Sequence, residues 1–198
     1  MKKATFLTAI MFLFVVSMNA QSKKNEIDLG AGVWSTNEIV GTMSSVIVSG
    51  LTGIKMGDNN NTGAIHLGYK YALSERFALG PVFTYDQGIY NAKEFSKDLS
   101  LYYTVGKFTS NFYTLAVEGD YKYVNSDKFK LYSLAGVGAT LLNQVYKPNE
   151  GDKKSQSKVF FNFQITPIAI KYGSVFGVFA ELGFGYKGIV SAGLFYRF

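Results

Sequence analysis

The chain has 198 residues, a formal net charge of +6, 16% aromatic residues and no cysteine. Disulfides and thiolate metal sites are therefore excluded, and the scattered basic residues lack the clustering that marks a nucleic-acid-binding surface. Abundant Gly, Tyr and Phe with only three prolines favour one domain of β-strands joined by turns.

The first predicted element is an export segment at 1–20. Two lysines precede an apolar run at 4–16, and Ala20 supplies a small residue at the end of the segment. This order is typical of a secretory signal peptide, and the run is shorter than the roughly 20 residues of a membrane-spanning helix. We predict cleavage after Ala20, with an uncleaved membrane anchor as the alternative, and assign 21–198 to one barrel domain.

The rest of the chain contains eight segments in which apolar and polar residues alternate. A period of two places the apolar side chains on one face of a strand. We predict strands at 26–34, 64–71, 77–85, 112–123, 129–142, 159–170, 176–186 and 188–198. In the sixth strand Pro167 cannot donate a ladder hydrogen bond, and Ile168 falls on the otherwise polar face while Ala169 falls on the apolar face. This irregularity predicts a β-bulge.

The predicted connections alternate between short turns and long polar links. The short turns lie at 74–76, 125–128 and 172–174, and the long links at 35–63, 86–111 and 147–158. Short turns on one rim and long loops on the other are typical of outer-membrane barrels. With an even number of strands, both chain termini are predicted to lie on the short-turn rim.

Charge is sorted between the two faces of the predicted strands. The apolar face has no Asp, Glu or Arg, and no Lys before the strand ends. The opposite face has four acids and four bases, namely Asp28, Lys70, Glu118, Asp120, Lys122, Lys130, Glu181 and Arg197. An Arg or Lys on the lipid side of a barrel costs about 2–4 kcal/mol at mid-membrane. We therefore predict that the apolar face meets lipid and that the eight charges form a balanced, paired network in the lumen.

The same alternation assigns each large aromatic side chain to the inward or the outward face of its strand. Trp34, Tyr132, Phe179 and Phe195 fall on the inward face, where an eight-stranded barrel leaves just enough space for side chains. Tyr186 falls on the outward face, together with Tyr and Phe residues near both ends of the strands. These outward aromatic residues predict two girdles at the membrane boundaries.

The last strand ends on three outward residues, Leu194, Tyr196 and Phe198. This ending resembles the C-terminal assembly signal of bacterial outer-membrane barrels. Together with the export segment, the link lengths and the charge sorting, it makes nearly the whole mature chain resemble the small eight-stranded outer-membrane proteins of Gram-negative bacteria, the OmpA/OmpX-like and porin-like barrels. The resemblance implies an all-β fold, an eight-stranded antiparallel up-and-down transmembrane barrel.

The resemblance also implies a cell outer-membrane location with both termini periplasmic. The expected partners are outer-membrane lipid, lipopolysaccharide and, during insertion, the barrel-assembly machinery, with no nucleic acid. We expect a monomer with a mostly plugged polar lumen and a structural or surface-interaction role, without enzymatic activity, metal or cofactor.

Two other functions stay open. One is a narrow porin or channel for small solutes, and the other is an outer-membrane lipid-modifying enzyme. The enzyme would need His66, which is the only histidine. We predict instead that His66 faces the lumen and is hydrogen-bonded there, away from the outer leaflet.

The first long link contains a helix signal. Ser35 and Glu38 have the spacing of a capping box, and apolar residues recur at helical spacing between Ile39 and Leu51. A short helix over the barrel mouth or on the outer leaflet is one prediction for this link. An extended strand is the alternative, because the residues at 46–48 favour β structure.

Overall fold

The computed structural model describes residues 24–41, 55–96, 101–149 and 151–198. They contain nine strands: β1 (Asn25–Val33), β2 (Lys55–Asn61), β3 (Ala64–Ala72), β4 (Phe77–Ser96), β5 (Leu101–Asn125), β6 (Phe129–Pro148), β7 (Lys154–Gly173), β8 (Phe176–Gly185) and β9 (Val190–Arg197). The predicted export segment at 1–20 and the 42–54 part of the first link lie outside the described residues. Within them, no helix has the length and apolar character needed to cross a membrane.

Eight strands form a closed antiparallel ring in the order β1, β3, β4, β5, β6, β7, β8, β9. The ring closes because β9 pairs with β1, from Glu26 opposite Arg197 to Val33 opposite Val190. Beyond this pair, the Phe198 N–H donates to the Asn25 carbonyl at 2.9 Å. The predicted eight-stranded antiparallel barrel is confirmed.

The ninth strand, β2, continues β3 rather than adding a new position to the ring. Both pair with β4, with Asn61 opposite Gly88 and Ile65 opposite Tyr85. Between them Gly63 has a φ of 74°, a left-handed conformation that glycine adopts without steric cost. One long strand is therefore interrupted at a single glycine.

The barrel wall has two heights. β1, β3, β8 and β9 have 8 to 10 residues, about the roughly 9–11 that a membrane-crossing strand needs. β4 to β7 have 20 to 25 residues and extend well past the others on the long-link side. β4 and β5 stay paired as far as Ser96 opposite Leu101.

The tall strands correct the predicted link lengths. Residues 86–96 and 101–111 are strand, as is most of 147–158. We call the extended β4–β5 pair from Gln87 to Asn111 the ribbon. Apolar and polar residues do not alternate strictly there, so the pattern that identifies a strand is absent.

The described side chains have the reverse of the usual inside–outside distribution. Leu115 and Val137 on the outer face are 65% and 60% exposed, while Tyr132, Phe179 and Phe195 are buried in the lumen as predicted. Two aromatic assignments are wrong. Trp34 is 59% exposed, because β1 ends at Val33 and Trp34 has a φ of 59°. Tyr186 is completely buried, because β8 ends at Gly185 and the chain turns into the lumen.

The predicted bulge in the sixth predicted strand is present in β7. The pairing with β8 slips by one residue between Ile165, opposite Phe184, and Ile168, opposite Leu182. Pro167 and Ile168 both face outward, and Ala169 is buried on the inside. The predicted faces of Ile168 and Ala169 are therefore wrong, because the bulge shifts the alternation by one position.

Candidate functional site

The centre of the lumen contains an alternating chain of acids and lysines. Lys70 on β3 lies 3.3 Å from the Glu118 carboxylate on β5. Lys187, in the link between β8 and β9, lies 3.1 Å from Glu118 and 2.6 Å from Glu181 on β8. All four side chains are at most 4% exposed, so each charge is stabilised by its partners rather than by solvent.

Hydroxyl groups complete the coordination of the two glutamates. Tyr132 donates to Glu181 at 2.8 Å, and Tyr186 donates to Glu118 at 3.0 Å. Ser191 donates to Glu181 at 3.3 Å. Charge-assisted hydrogen bonds of this kind stabilise a buried carboxylate more than a neutral pair does.

A second branch extends from the centre towards the short-turn rim. Lys70 lies 2.5 Å from Asp120, and Lys171 lies 3.6 Å from the other oxygen of Asp120. Lys171 also pairs with Glu26, and the Arg197 Nε donates to Glu26 at 2.6 Å. This branch joins β1, β3, β5, β7 and β9 through the interior of the barrel.

Five of the eight predicted network residues join these ion pairs: Lys70, Glu118, Asp120, Glu181 and Arg197. Asp28 is buried, but its Oδ2 has no hydrogen-bond partner among the described residues. Lys122 and Lys130 are half-buried near the short-turn rim, and neither forms an ion pair within the described part of the chain. Their grouping with Arg197 at this rim agrees with the predicted strand ends.

Three members of the network, Glu26, Lys171 and Lys187, were not predicted from the sequence. Glu26 begins the predicted first strand and has the same strand parity as Asp28, so alternation alone could have placed it in the lumen. Lys171 faces inward only because of the bulge in β7, and Lys187 lies in a turn that alternation cannot assign.

The predicted balance of four acids and four bases is also not found. Among described residues the buried charged set has six acids and four bases: Glu26, Asp28, Asp86, Glu118, Asp120, Glu181, Lys70, Lys171, Lys187 and Arg197.

The start of the first long link caps the lumen on the long-link side. A helix begins at Thr36, after Ser35, and is described to Gly41. The Glu38 N–H donates to the Ser35 hydroxyl at 3.1 Å, and the Glu38 carboxylate accepts from the Trp34 N–H at 2.9 Å. The helical prediction is therefore correct over these residues, with the Glu38 contact displaced by one residue from the usual capping box.

This helix is tied to the barrel wall by its first residues. Ser35 donates to Asp86 on β4 at 2.5 Å, and Asn162 on β7 contacts Thr36 and Asn37, each at 3.0 Å. Burial, and then the nearby Asp86, raise the pKa of the Glu38 carboxyl. The helix N-terminus thus lies between two opposite sides of the mouth.

His66 lies in the lumen as predicted, with 1% of its side chain exposed. Neither ring nitrogen has a hydrogen-bond partner among the described residues, so the predicted hydrogen bond is not found. Its ring lies 5.8 Å from that of Phe179. A nucleophile–base pair of the kind that lipid-modifying chemistry requires is not built around it in this part of the chain.

No protein-family model and no curated protein matches this chain. The N-terminal β-barrel domain of Pseudomonas aeruginosa OprF is similar, with 12% identity over 89% of this chain and 98% of that domain, and a TM-score of 0.43. Ail, the attachment invasion locus protein of Yersinia pestis, is similar with 14% identity over 88% and 97% of the two chains, and a TM-score of 0.45.

Proposed function

We propose that residues 21–198 form an integral outer-membrane barrel with a mostly plugged polar lumen and a structural or surface-interaction role. The observation that supports this best is the inverted distribution of side chains, with apolar residues exposed all around the wall and ion pairs buried inside. Lipid requires such an outer face, and only a closed barrel lets strands cross it without unpaired backbone groups.

We propose that both chain termini lie in the periplasm and that the ribbon lies outside the cell. The absence of native cysteine makes single-cysteine labelling specific. We expect an impermeant maleimide to label Tyr102→Cys, at the ribbon tip, on intact cells. Lys128→Cys, in a short turn, should react only after the outer membrane is permeabilised. The opposite pattern would reverse the orientation.

We propose a plugged lumen because side chains fill the interior of the barrel. Lys187 and Tyr186 reach from the β8–β9 link to Glu118 on the other side of the barrel, and Phe179 and Phe195 are also buried in the lumen. In planar bilayers, protein whose folding has been verified should give no steady ion current. A stable current would favour the narrow-channel alternative.

A surface-interaction role is proposed for the ribbon tip. Leu101, Tyr102 and Tyr103 are each close to half exposed there, and aromatic residues are enriched in recognition surfaces. Changing all three to Ser should reduce attachment of expressing cells to other cells, without loss of folded barrel. Unchanged attachment would leave the structural role alone.

The residues on the outer wall of the barrel support the remaining proposed partners, which are lipid, lipopolysaccharide and the assembly machinery. The exposed apolar belt would contact membrane lipid and lipopolysaccharide, and Leu194, Tyr196 and Phe198 would be read by the assembly machinery as the last strand is added. We propose a monomer, since the ring closes on itself, and no enzymatic activity, since the ion pairs of the described lumen are not arranged around a nucleophile and its base.

A further inference from the structure

The short-turn rim encloses a cavity of about 720 Å³. Its wall comes from the three short turns, the start of the described chain and the end of β9. The charged lining residues are five bases and two acids, namely Lys24, Lys122, Lys128, Lys130, Arg197, Glu75 and Asp127. Arg197 is already paired with Glu26, so the four lysines and two acids give the cavity a formal excess of two positive charges.

The bases of this cavity lack carboxylate partners inside it. None of its four lysines forms an ion pair within the described residues, and the Lys130 ammonium donates to the backbone carbonyl of Ser126 at 3.1 Å. Lys122 and Lys130 are half-buried, so solvent screens their mutual repulsion only in part. The inner wall of the cavity therefore has uncompensated positive charge.

Arg197 lies at the inner end of the cavity and is held rigidly. Its Nε donates to Glu26, and its Nη1 donates to the carbonyls of Gly173 and Ser174 at 3.3 Å and 3.2 Å. Its Nη2 is buried and has no hydrogen-bond partner among the described residues. A guanidinium with an unsatisfied donor and a fixed plane is suited to a tetrahedral oxyanion.

We propose that this cavity binds a small anion that carries several negative charges on its phosphate groups. Lys122 and Lys130 are the main contacts of the anion, and Arg197 lies at the inner end of the cavity. Lysine ammonium groups are point charges that adapt to phosphate oxygens from several directions. A concave surface with an excess of one sign of charge raises the local concentration of counter-ions of the opposite sign. The excess of two charges on the lysines matches a multivalent anion better than a monovalent one.

The test is calorimetric titration of the refolded barrel, in neutral detergent at low salt, with sodium pyrophosphate. The parent should bind pyrophosphate, with an affinity that falls as salt rises. Lys122→Gln with Lys130→Gln should weaken binding roughly tenfold for each lysine removed. The matched control is Lys107→Gln with Lys147→Gln, a facing lysine pair on the same two strands at the opposite end of the barrel. This control should bind like the parent.

Three results would overturn the site: no binding by the folded parent, equal binding by the Lys122/Lys130 variant, or an equal loss in the control. The heat-dependent gel shift of each variant checks its folding. If the double variant does not fold, Lys24→Gln and Lys128→Gln replace it, since both lysines lie on the exposed edge of the cavity. Each should weaken pyrophosphate binding, and parent-like affinity in both would refute the proposal.

Free phosphates and lipid head groups share this chemistry, so a second measurement separates them. The cavity lies between the turns, inside the ring, and we expect its anion to be soluble. Pyrophosphate affinity should then be the same in vesicles of phosphatidylcholine and in vesicles that also contain phosphatidylglycerol. A weaker affinity in the second vesicles would overturn the soluble source.

Discussion

Glu118 is the acid that both central lysines of the lumen contact. Lys70, Lys187 and Tyr186 all lie within 3.3 Å of its carboxylate oxygens, and only 1% of its side chain is exposed. The two lysines come from different parts of the barrel, so a single carboxylate neutralises charges that the chain brings together only on folding. The contribution of Glu118 to the stability of the fold is therefore larger than that of any one of its contacts.

The Glu118→Gln variant should be less stable than the parent. The amide removes one ion pair from each of two buried lysines, which leaves Lys70 with Asp120 alone and Lys187 with Glu181 alone. The free energy of unfolding in urea, from vesicle-embedded protein, should fall by about 3–5 kcal/mol. Glu75→Gln, at an exposed turn, is the control and should change it by less than about 0.5 kcal/mol. Equal stability of the two variants would contradict the network.

The β7 bulge determines which residues of that strand face lipid. Before it the odd residues such as Ile165 face outward, and after it the even residues Ile168 and Ile170 do so. Lys171 enters the lumen for the same reason. The one extra residue of the bulge thus places the Lys171 ammonium group beside Asp120 and Glu26.

Ile168→Lys tests this shift. The bulge places a charge at this position in lipid, which costs about 2–4 kcal/mol near mid-membrane and less near the interface. We expect a lower urea midpoint and less folded protein in the membrane, while Ile168→Leu should resemble the parent. A lysine variant of parental stability would place residue 168 in the lumen, as simple alternation predicts.

The last strand is the second element with a testable role. Tyr196 and Leu194 face outward on β9, and Phe198 continues that row with its ring 5.8 Å from the Tyr196 ring. Deleting Phe198 or changing it to Asp should lower the amount of folded protein in the outer membrane, measured by quantitative gel shift. Phe198→Leu should retain most of it. Parental amounts in the Asp variant would remove the assembly role.

Strand alternation predicted the network residues at the centres of strands and failed near their ends. Lys70, Glu118 and Glu181 lie well inside strands in which apolar and polar residues alternate regularly. The odd or even position of each residue was therefore sufficient to place its side chain in the lumen. Trp34 and Lys187 lie just beyond strand ends, where one change of backbone direction decides the side-chain position. The fold follows from a pattern that lipid imposes, whereas much of the site depends on turns and a bulge that lipid does not constrain.

At the scale of the whole molecule, the ribbon and the barrel are separable. Beyond the Ala92–Gly106 pair, β4 and β5 pair mainly with each other, although Lys93 still pairs with Lys55 on β2. Asn149, just after β6, donates to the carbonyls of Val105 and Thr104. The ring itself is closed by the lower residues of all eight strands. Replacing residues 93–105 with a short turn should leave the heat-dependent gel shift and the urea midpoint within error of the parent. Loss of folded barrel would show that the ribbon is needed for the fold.

The ion pairs also bear on how the barrel forms. Glu26 on the first strand lies directly opposite Arg197 on the last, and Lys187 reaches Glu118 only after the β8–β9 hairpin has joined the sheet. A partly assembled sheet would expose carboxylates and ammonium groups to hydrocarbon with no counter-charge. Closure and neutralisation therefore occur in the same step, which makes insertion cooperative and disfavours an incomplete barrel as a resident of the membrane.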